Sequence, residues 1–261
     1  MLKYAANLSF LYTELPLVER FAAAGADGFR YVELHEPYSL PPADLRNAAL
    51  QAHVQTVLHN TAFGDFAAGE RGLAAVPGRE AEFEKQLHAA FVYSSQLGNK
   101  LIHVLAGVAD AASAAARATY VRNLALAASE AAKRGITVVI EPINTRDMPG
   151  YFLTTLEQAA DIQDAVGLPN LKLLFDCYHV QAMQGDLVRR FERFRDRIGH
   201  VQIAGAPERH EPDTGEINYR YVLSAIAVSG YDDYIGCEYR PVRDVRGGTS
   251  AGLGWRHTVA P

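Results

Sequence analysis

The stretch Ile136-Thr137-Val138-Val139-Ile140-Glu141-Pro142 constrains the fold of this chain most. Its β-branched apolar residues suit a strand buried on both faces, as in a parallel sheet. The run ends in a carboxylate, which is costly at the end of a buried strand unless something pairs with it. Pro142 removes the next backbone N–H and helps to stop the strand. Three later runs repeat the arrangement: 171–175 leads into Asp176, 200–204 carries Gln202, and 234–237 leads into Glu238. Four oxygen-bearing side chains near the ends of apolar strands point to one shared site.

The rest of the chain supplies the strands needed to bring those ends together. Strand-like runs cover 3–9, 28–35, 54–59, 100–105, 136–141, 171–176, 199–203 and 234–238. Helical stretches alternate with them at 16–24, 43–52, 79–97, 114–134, 155–166, 187–197, 219–229 and, weakly, 250–256. Strict alternation implies a parallel sheet, and eight units imply a closed (β/α)8 TIM barrel. The 261 residues match one such domain spanning 1–261, at about 250 residues per barrel. The segment 60–78 after the third strand is too long for an ordinary connection; its glycines suit a lid, and an exposed, passive loop is the alternative. In this fold the C-terminal strand ends open onto one face, which carries the site. Here they are Asn7, His35, His59, His103, Glu141, Asp176, Gln202 and Glu238, all polar.

Composition excludes several classes. Hydrophobic residues at 49% supply a sizeable core, and a net charge of −5 argues against non-specific binding to nucleic acid or an anionic membrane. No apolar run approaches the ~20 residues of a membrane-spanning helix. The start, Met1-Leu2-Lys3-Tyr4, carries no signal-peptide pattern, so a cytoplasmic location is expected. Cys177 and Cys237 each follow or precede a site carboxylate, and strand alternation turns them toward the helix layer as buried free thiols. Oligomeric state is open, and a homo-oligomer is compatible with the sequence.

Glu141, Asp176, Gln202 and Glu238 come from neighbouring strands and form a hard-oxygen set. Such a set suits one divalent ion, Mg²⁺ or Mn²⁺, rather than softer metals. Without an ion the clustered carboxylates repel one another and at least one takes up a proton. His35-Glu36-Pro37 and His210-Glu211-Pro212 lack the second histidine of a zinc motif.

Several stretches together carry a resemblance. They are Ala6-Asn7-Leu8-Ser9, His59-Asn60, the run 64–72, Pro77-Gly78-Arg79-Glu80, Ile140-Glu141-Pro142-Ile143-Asn144, Asp176-Cys177-Tyr178-His179, Gly215-Glu216-Ile217-Asn218-Tyr219 and Gly236-Cys237-Glu238-Tyr239. The chain resembles the hydroxypyruvate isomerase family of xylose-isomerase-like barrels from residue 1 to about 255. The resemblance implies a divalent metal on Glu141, Asp176, Gln202 and Glu238, with the two glutamates as acid and base. The stretch 201–212 is closer to a sister branch that isomerises 2-oxo-tetronates, whereas 141–144 is closer to the hydroxypyruvate branch.

The implied reaction converts hydroxypyruvate to tartronate semialdehyde through an enediolate. A metal stabilises the developing charge, one carboxylate removes the carbon-bound proton and a carboxylic acid returns one. The substrate carboxylate needs a partner, and Arg71 and Arg209 are candidates because arginine matches it bidentately. His179, three residues after Asp176, is a candidate for binding a substrate oxygen, and His59 and His103 are weaker ones. Glu33 is a candidate for hydrogen bonding within the rim. Competing readings are a multi-zinc barrel endonuclease, a ketose 3-epimerase and a non-catalytic barrel that binds a sugar acid.

Overall fold

In a computed structural model the described residues are 2–242 and 248–259. Eight parallel strands close into one barrel in the order β1 to β8. They are β1 (Lys3–Asn7), β2 (Tyr31–Leu34), β3 (Gln55–Asn60), β4 (Leu101–His103), β5 (Thr137–Ile140), β6 (Leu171–Asp176), β7 (Ile198–Ile203) and β8 (Tyr234–Cys237). β8 pairs with β1, Lys3 opposite Tyr234, so no strand edge is left open. The helices α1 (Leu17–Ala26), α2 (Pro42–Gln51), α3 (Glu80–Leu97), α4 (Ala114–Ala132) and α5 (Leu156–Val166) follow the first five strands in turn. No described helix is long and apolar enough to cross a membrane.

Local chemistry sets these boundaries. Ser113 and Thr155 cap α4 and α5 through side-chain oxygens that accept Ala116 N–H and Gln158 N–H. Gly98 and Gly167 end α3 and α5 in the left-handed conformation. The sequence pattern missed one helix. β6 runs directly into α6 (Cys177–Met183), seven residues too short to show helical periodicity, and Asp176 is its cap. α7 (Leu187–Phe194) and α8 (Tyr219–Val228) complete the ring. The weak helix expected over 250–256 is two short ones, α9 (Gly248–Gly252) and α10 (Trp255–Thr258).

Two cores result. The larger lies between strands and helices and includes Cys177 and Cys237, both buried free thiols as the alternation requires. The smaller fills the barrel itself with Ala5, Val57, Leu58, Leu101, Val139 and Leu174, against Tyr31 and Tyr234. Side chains alternate along a strand, so positions two residues beyond Ala5, Leu58, Leu101, Val139 and Leu174 point into the same interior, one layer higher. Those positions include Asn7, Asn60, His103, Glu141 and Asp176. The apolar layer thus forms the floor on which the polar one stands.

Candidate active site

Each expected oxygen ligand is delivered by the end of a different strand and is nearly or fully buried. Asp176 has two tasks. Its Oδ1 accepts the N–H groups of Tyr178 (2.7 Å) and His179 (3.4 Å) at the start of α6, while its Oδ2 has no hydrogen-bond partner. Glu141 Oε1 and Gln202 Oε1 are also buried without a hydrogen-bond partner. Three unsatisfied oxygens in one barrel end are unusual, because a buried acceptor left unpaired costs about 1–3 kcal/mol.

Glu238 is satisfied instead. Its Oε2 accepts from Asn7 Nδ2 (2.9 Å) and Gln202 Nε2 (2.6 Å) and lies 3.0 Å from His35 Nε2. Its Oε1 makes a close ion pair with Arg209 Nη2, which also lies 3.5 Å from Asp176 Oδ2. Arg209 Nη1 is 3.8 Å from Asp147 Oδ2. The guanidinium sits between the rings of Phe10 and Tyr178, at 4.7 and 5.0 Å. Its residue holds φ at 59°, rare for a side chain with a Cβ, so a strained backbone places this cation.

The acids differ in electrostatic state as they do in pairing. Burial, with the charges of Glu238 and Asp176, pushes Glu141 well above the usual carboxylate range. Burial also raises Asp176, to about 7, although Arg209 opposes it. Burial acts on Glu238 in the same sense, but His35 and Arg209 outweigh it and hold this carboxyl at about 2. One arginine therefore does not neutralise the cluster. The shortage of positive charge, the three unpaired oxygens and the hard donor set all fit a divalent cation.

Glu141, Asp176 and His179 offer ligand atoms within 4.8 Å of one another and so form a possible metal-binding triad. The surroundings of His179 decide which nitrogen it offers. Asn144 Oδ1 accepts Asp147 N–H, which turns Asn144 Nδ2 toward His179 Nδ1 at 2.7 Å. Nδ1 then accepts, and Nε2 carries the proton. Burial holds the ring neutral by driving its pKa well below the usual histidine value. The N–H so presented lies 3.7 Å from both Glu141 Oε1 and Asp176 Oδ2. In this tautomer His179 is a donor to the centre, not a ligand of it.

A cavity of about 610 Å³ opens above these groups and is lined by Glu141, His179, Arg209 and Glu238. The 60–78 segment forms part of its wall through Asn60, Phe63, Phe66 and Arg71, so it lies over the C-terminal face. Arg71 stacks on Phe66, 3.6 Å from the ring centre, and donates to the backbone oxygens of Phe66 (3.1 Å) and Glu70 (2.7 Å). His103 is buried just below, with Nδ1 3.6 Å from Glu141 Oε2. His59 requires a correction. Its ring packs edge-on to Tyr38 and faces Ala90 of α3 and Asn99, behind the barrel wall, and Asn60 takes the place in the cavity. Strand alternation sends neighbours to opposite faces, and the last residue of β3 is Asn60. His35 and Asp147 were missed as site residues. His35 was visible as a polar strand end, whereas Asp147 stands in an irregular loop with no local signal.

The profile of the xylose isomerase-like TIM barrel family matches residues 21–258. This chain belongs to that family. It is 55% identical to the 2-oxo-tetronate isomerase of Cupriavidus necator, over 98% of this chain and 97% of that one. It is 44% identical to the hydroxypyruvate isomerase of Escherichia coli, over 98% of each chain. Among solved structures, a Brucella melitensis protein described as an AP endonuclease of family 2 superposes over 100% of both chains, at TM-score 0.94 and 40% identity. The family and these named relatives make the chain an isomerase of the xylose isomerase-like barrel type.

Proposed function

We propose that the chain moves a carbonyl between the adjacent C2 and C3 of a small 2-oxo-3-hydroxy acid, and that its substrate is a four-carbon 2-oxo-tetronate. The observation that carries the reaction is that Glu141 and Glu238, both buried, line one cavity from the ends of β5 and β8. Two carboxyl groups facing one cavity from separate strands are placed to remove a proton from one carbon and return one to its neighbour. Glu238, kept ionised by His35 and Arg209, takes the proton from C3. The electrons form the enediolate, a proton returns to C2 from Glu141, and the hydroxyl proton passes from the C3 oxygen to the C2 oxygen, so that the C3 oxygen becomes the carbonyl. His179 Nε2–H donates to the substrate oxygen that gains charge. Glu141, Asp176, Gln202 and Glu238 would hold the divalent ion, Mg²⁺ or Mn²⁺. When bound, that ion supplies charge stabilisation for the two neighbouring oxygens. Arg71 at the mouth, and Arg209 if it shares its carboxylate partners, receive the substrate carboxylate.

Hydroxypyruvate, one carbon shorter, undergoes the same chemistry and is the second reading, favoured by the Escherichia coli relative. The four-carbon acid takes precedence because of the 55% identity to the Cupriavidus necator enzyme and the likeness of the 201–212 stretch, which contains Arg209, to that branch. Turnover of both acids by chelator-treated protein, before and after adding Mg²⁺ or Mn²⁺, tests the proposal. Equal turnover with and without chelator sinks the metal. A kcat/KM for hydroxypyruvate above that for both 2-oxo-tetronate enantiomers reverses the substrate order.

A further inference from the structure

One carboxylate inside the barrel has no part in the proton transfers above. Glu33, on β2, is fully buried. Its Oε1 accepts from Asn7 Nδ2 (3.0 Å) and Gln202 Nε2 (2.8 Å), and its Oε2 lies 2.7 Å from His200 Nε2. The same two amide nitrogens also donate to Glu238 Oε2. Two amides thus bridge two carboxylates in a closed ring.

The ring fixes which way each member faces. Asn7 Oδ1 accepts Ser9 N–H at 3.0 Å, which turns Asn7 Nδ2 toward the carboxylates. Reversing Gln202 would set its Oε1 against an oxygen of Glu33 and one of Glu238, a repulsive arrangement in a dry interior. Gln202 Oε1 is consequently the atom left without a partner. On Glu238, Asn7, Gln202 and His35 together occupy Oε2, so Oε1 is the oxygen that faces Arg209 and the cavity. The backbone leaves room for this ring at one point. A Cβ on Gly236 would come within 2.7 Å of the Glu33 carboxyl carbon.

We infer that Glu33 is a positioning residue for the isomerisation: by accepting from Asn7 and Gln202 it selects the oxygen of Glu238 and the end of Gln202 that face substrate and cation. The inference rests on the proposed roles of Glu238 and Gln202. Without Glu33 each amide keeps a single carboxylate acceptor and gains freedom to rotate. Losing partners that orient ligands costs roughly 10–100-fold in metal affinity or activity. A purely structural Glu33 would lower thermal stability and leave the folded protein's affinity and turnover unchanged.

The test begins on chelator-treated protein with ¹⁵N-labelled Asn and Gln. Gln202→Glu and Asn7→Asp, each lacking one signal, assign the two side-chain amides. Both should exchange slowly with water in the wild type and rapidly in Glu33→Ala. Glu33→Gln should keep them protected, because its carbonyl oxygen still accepts from both. Mn²⁺ titration followed by electron paramagnetic resonance should then show affinity lowered roughly 10–100-fold in Glu33→Ala and within about threefold of wild type in Glu33→Gln. Gly236→Ala changes no ring residue and drives its Cβ against the Glu33 carboxyl, displacing it, so it should behave as Glu33→Ala does. Protected amides in Glu33→Ala would overturn the inference. So would wild-type Mn²⁺ affinity and kcat in folded Gly236→Ala. Protected amides lost in Glu33→Ala, in a wild type that binds no Mn²⁺, would uphold Glu33 as the orienting group and remove the metal reading alone.

Discussion

The barrel interior has two unlike sides beneath one site. Under Glu141 and Asp176 the floor is apolar, made of Leu101, Val139 and Leu174. Under Gln202 and Glu238 it is polar, because the positions two residues earlier are His200 and Gly236 and the space above that glycine is filled by Glu33. The first side leaves oxygens of Glu141 and Asp176 unpaired and raises both pKa values. The second side saturates Glu238 Oε2 and holds that carboxyl ionised. The difference separates two requirements of one centre. The underpaired side demands a cation, and the side on which Glu238 is tied down supplies rigidity while leaving Gln202 Oε1 free to face the ion.

The largest expected effect comes from exchanging one glutamate on each side. Glu141→Gln and Glu238→Gln should each lower kcat roughly 10²–10⁴-fold at saturating metal, since each removes a proton-transfer group. Their stabilities should diverge in metal-free protein. Glu141→Gln removes a poorly paired buried acid and should leave Tm equal or higher. Glu238→Gln breaks a buried pair with Arg209 and should cost about 3–5 kcal/mol. Denaturant melts of the two side by side check this, and a Glu238→Gln protein as stable as Glu141→Gln would break the comparison.

Asp176→Asn comes next. Asparagine still caps α6, so folding should persist. The lost charge should weaken Mn²⁺ binding roughly 10–100-fold, with turnover partly recovering as metal is added. Failure to recover at any metal concentration would give Asp176 a role in the chemistry itself. Arg71→Ala should raise KM about tenfold and change kcat less, because Arg71 meets the substrate at the mouth through a charged hydrogen bond. An unchanged KM would leave Arg209 as the carboxylate's partner.

The smallest effect on turnover belongs to His59→Leu, within about twofold at neutral pH, since this ring lies outside the cavity. Its signature is in stability. Burial lowers the His59 pKa from 6.5 to about 4, so the unfolded chain binds the extra proton first. The stability contributed by neutral His59 is present above pH 6.5 and is lost as pH falls toward 4, on the order of 3 kcal/mol. Thermal melts across that range should fall more steeply for wild type than for His59→Leu. Parallel curves would mean that His59 does not stay neutral in the folded chain.

The sequence by itself determined the barrel and the strand ends that carry oxygen. Continuous apolar runs alternate with helical ones, and a closed parallel sheet buries eight such strands without an edge. The polar residue closing each run was legible because a buried polar group is costly unless paired and so stands out at the end of an apolar run. Tertiary structure decided what the sequence left open. The expected site role of His59 fails on a one-residue matter of alternation, which strand ends blur and only the settled register of β3 resolves. Arg209 was read as a partner for substrate, yet the fold also ties it to Glu238, Asp176 and Asp147 from three other loops and strands. Glu33 and His200 lie 167 residues apart and meet only because the barrel closes. Local pattern records which residues close the strands; which of them face inward and which groups touch is set by register, closure, shear and the space a glycine leaves.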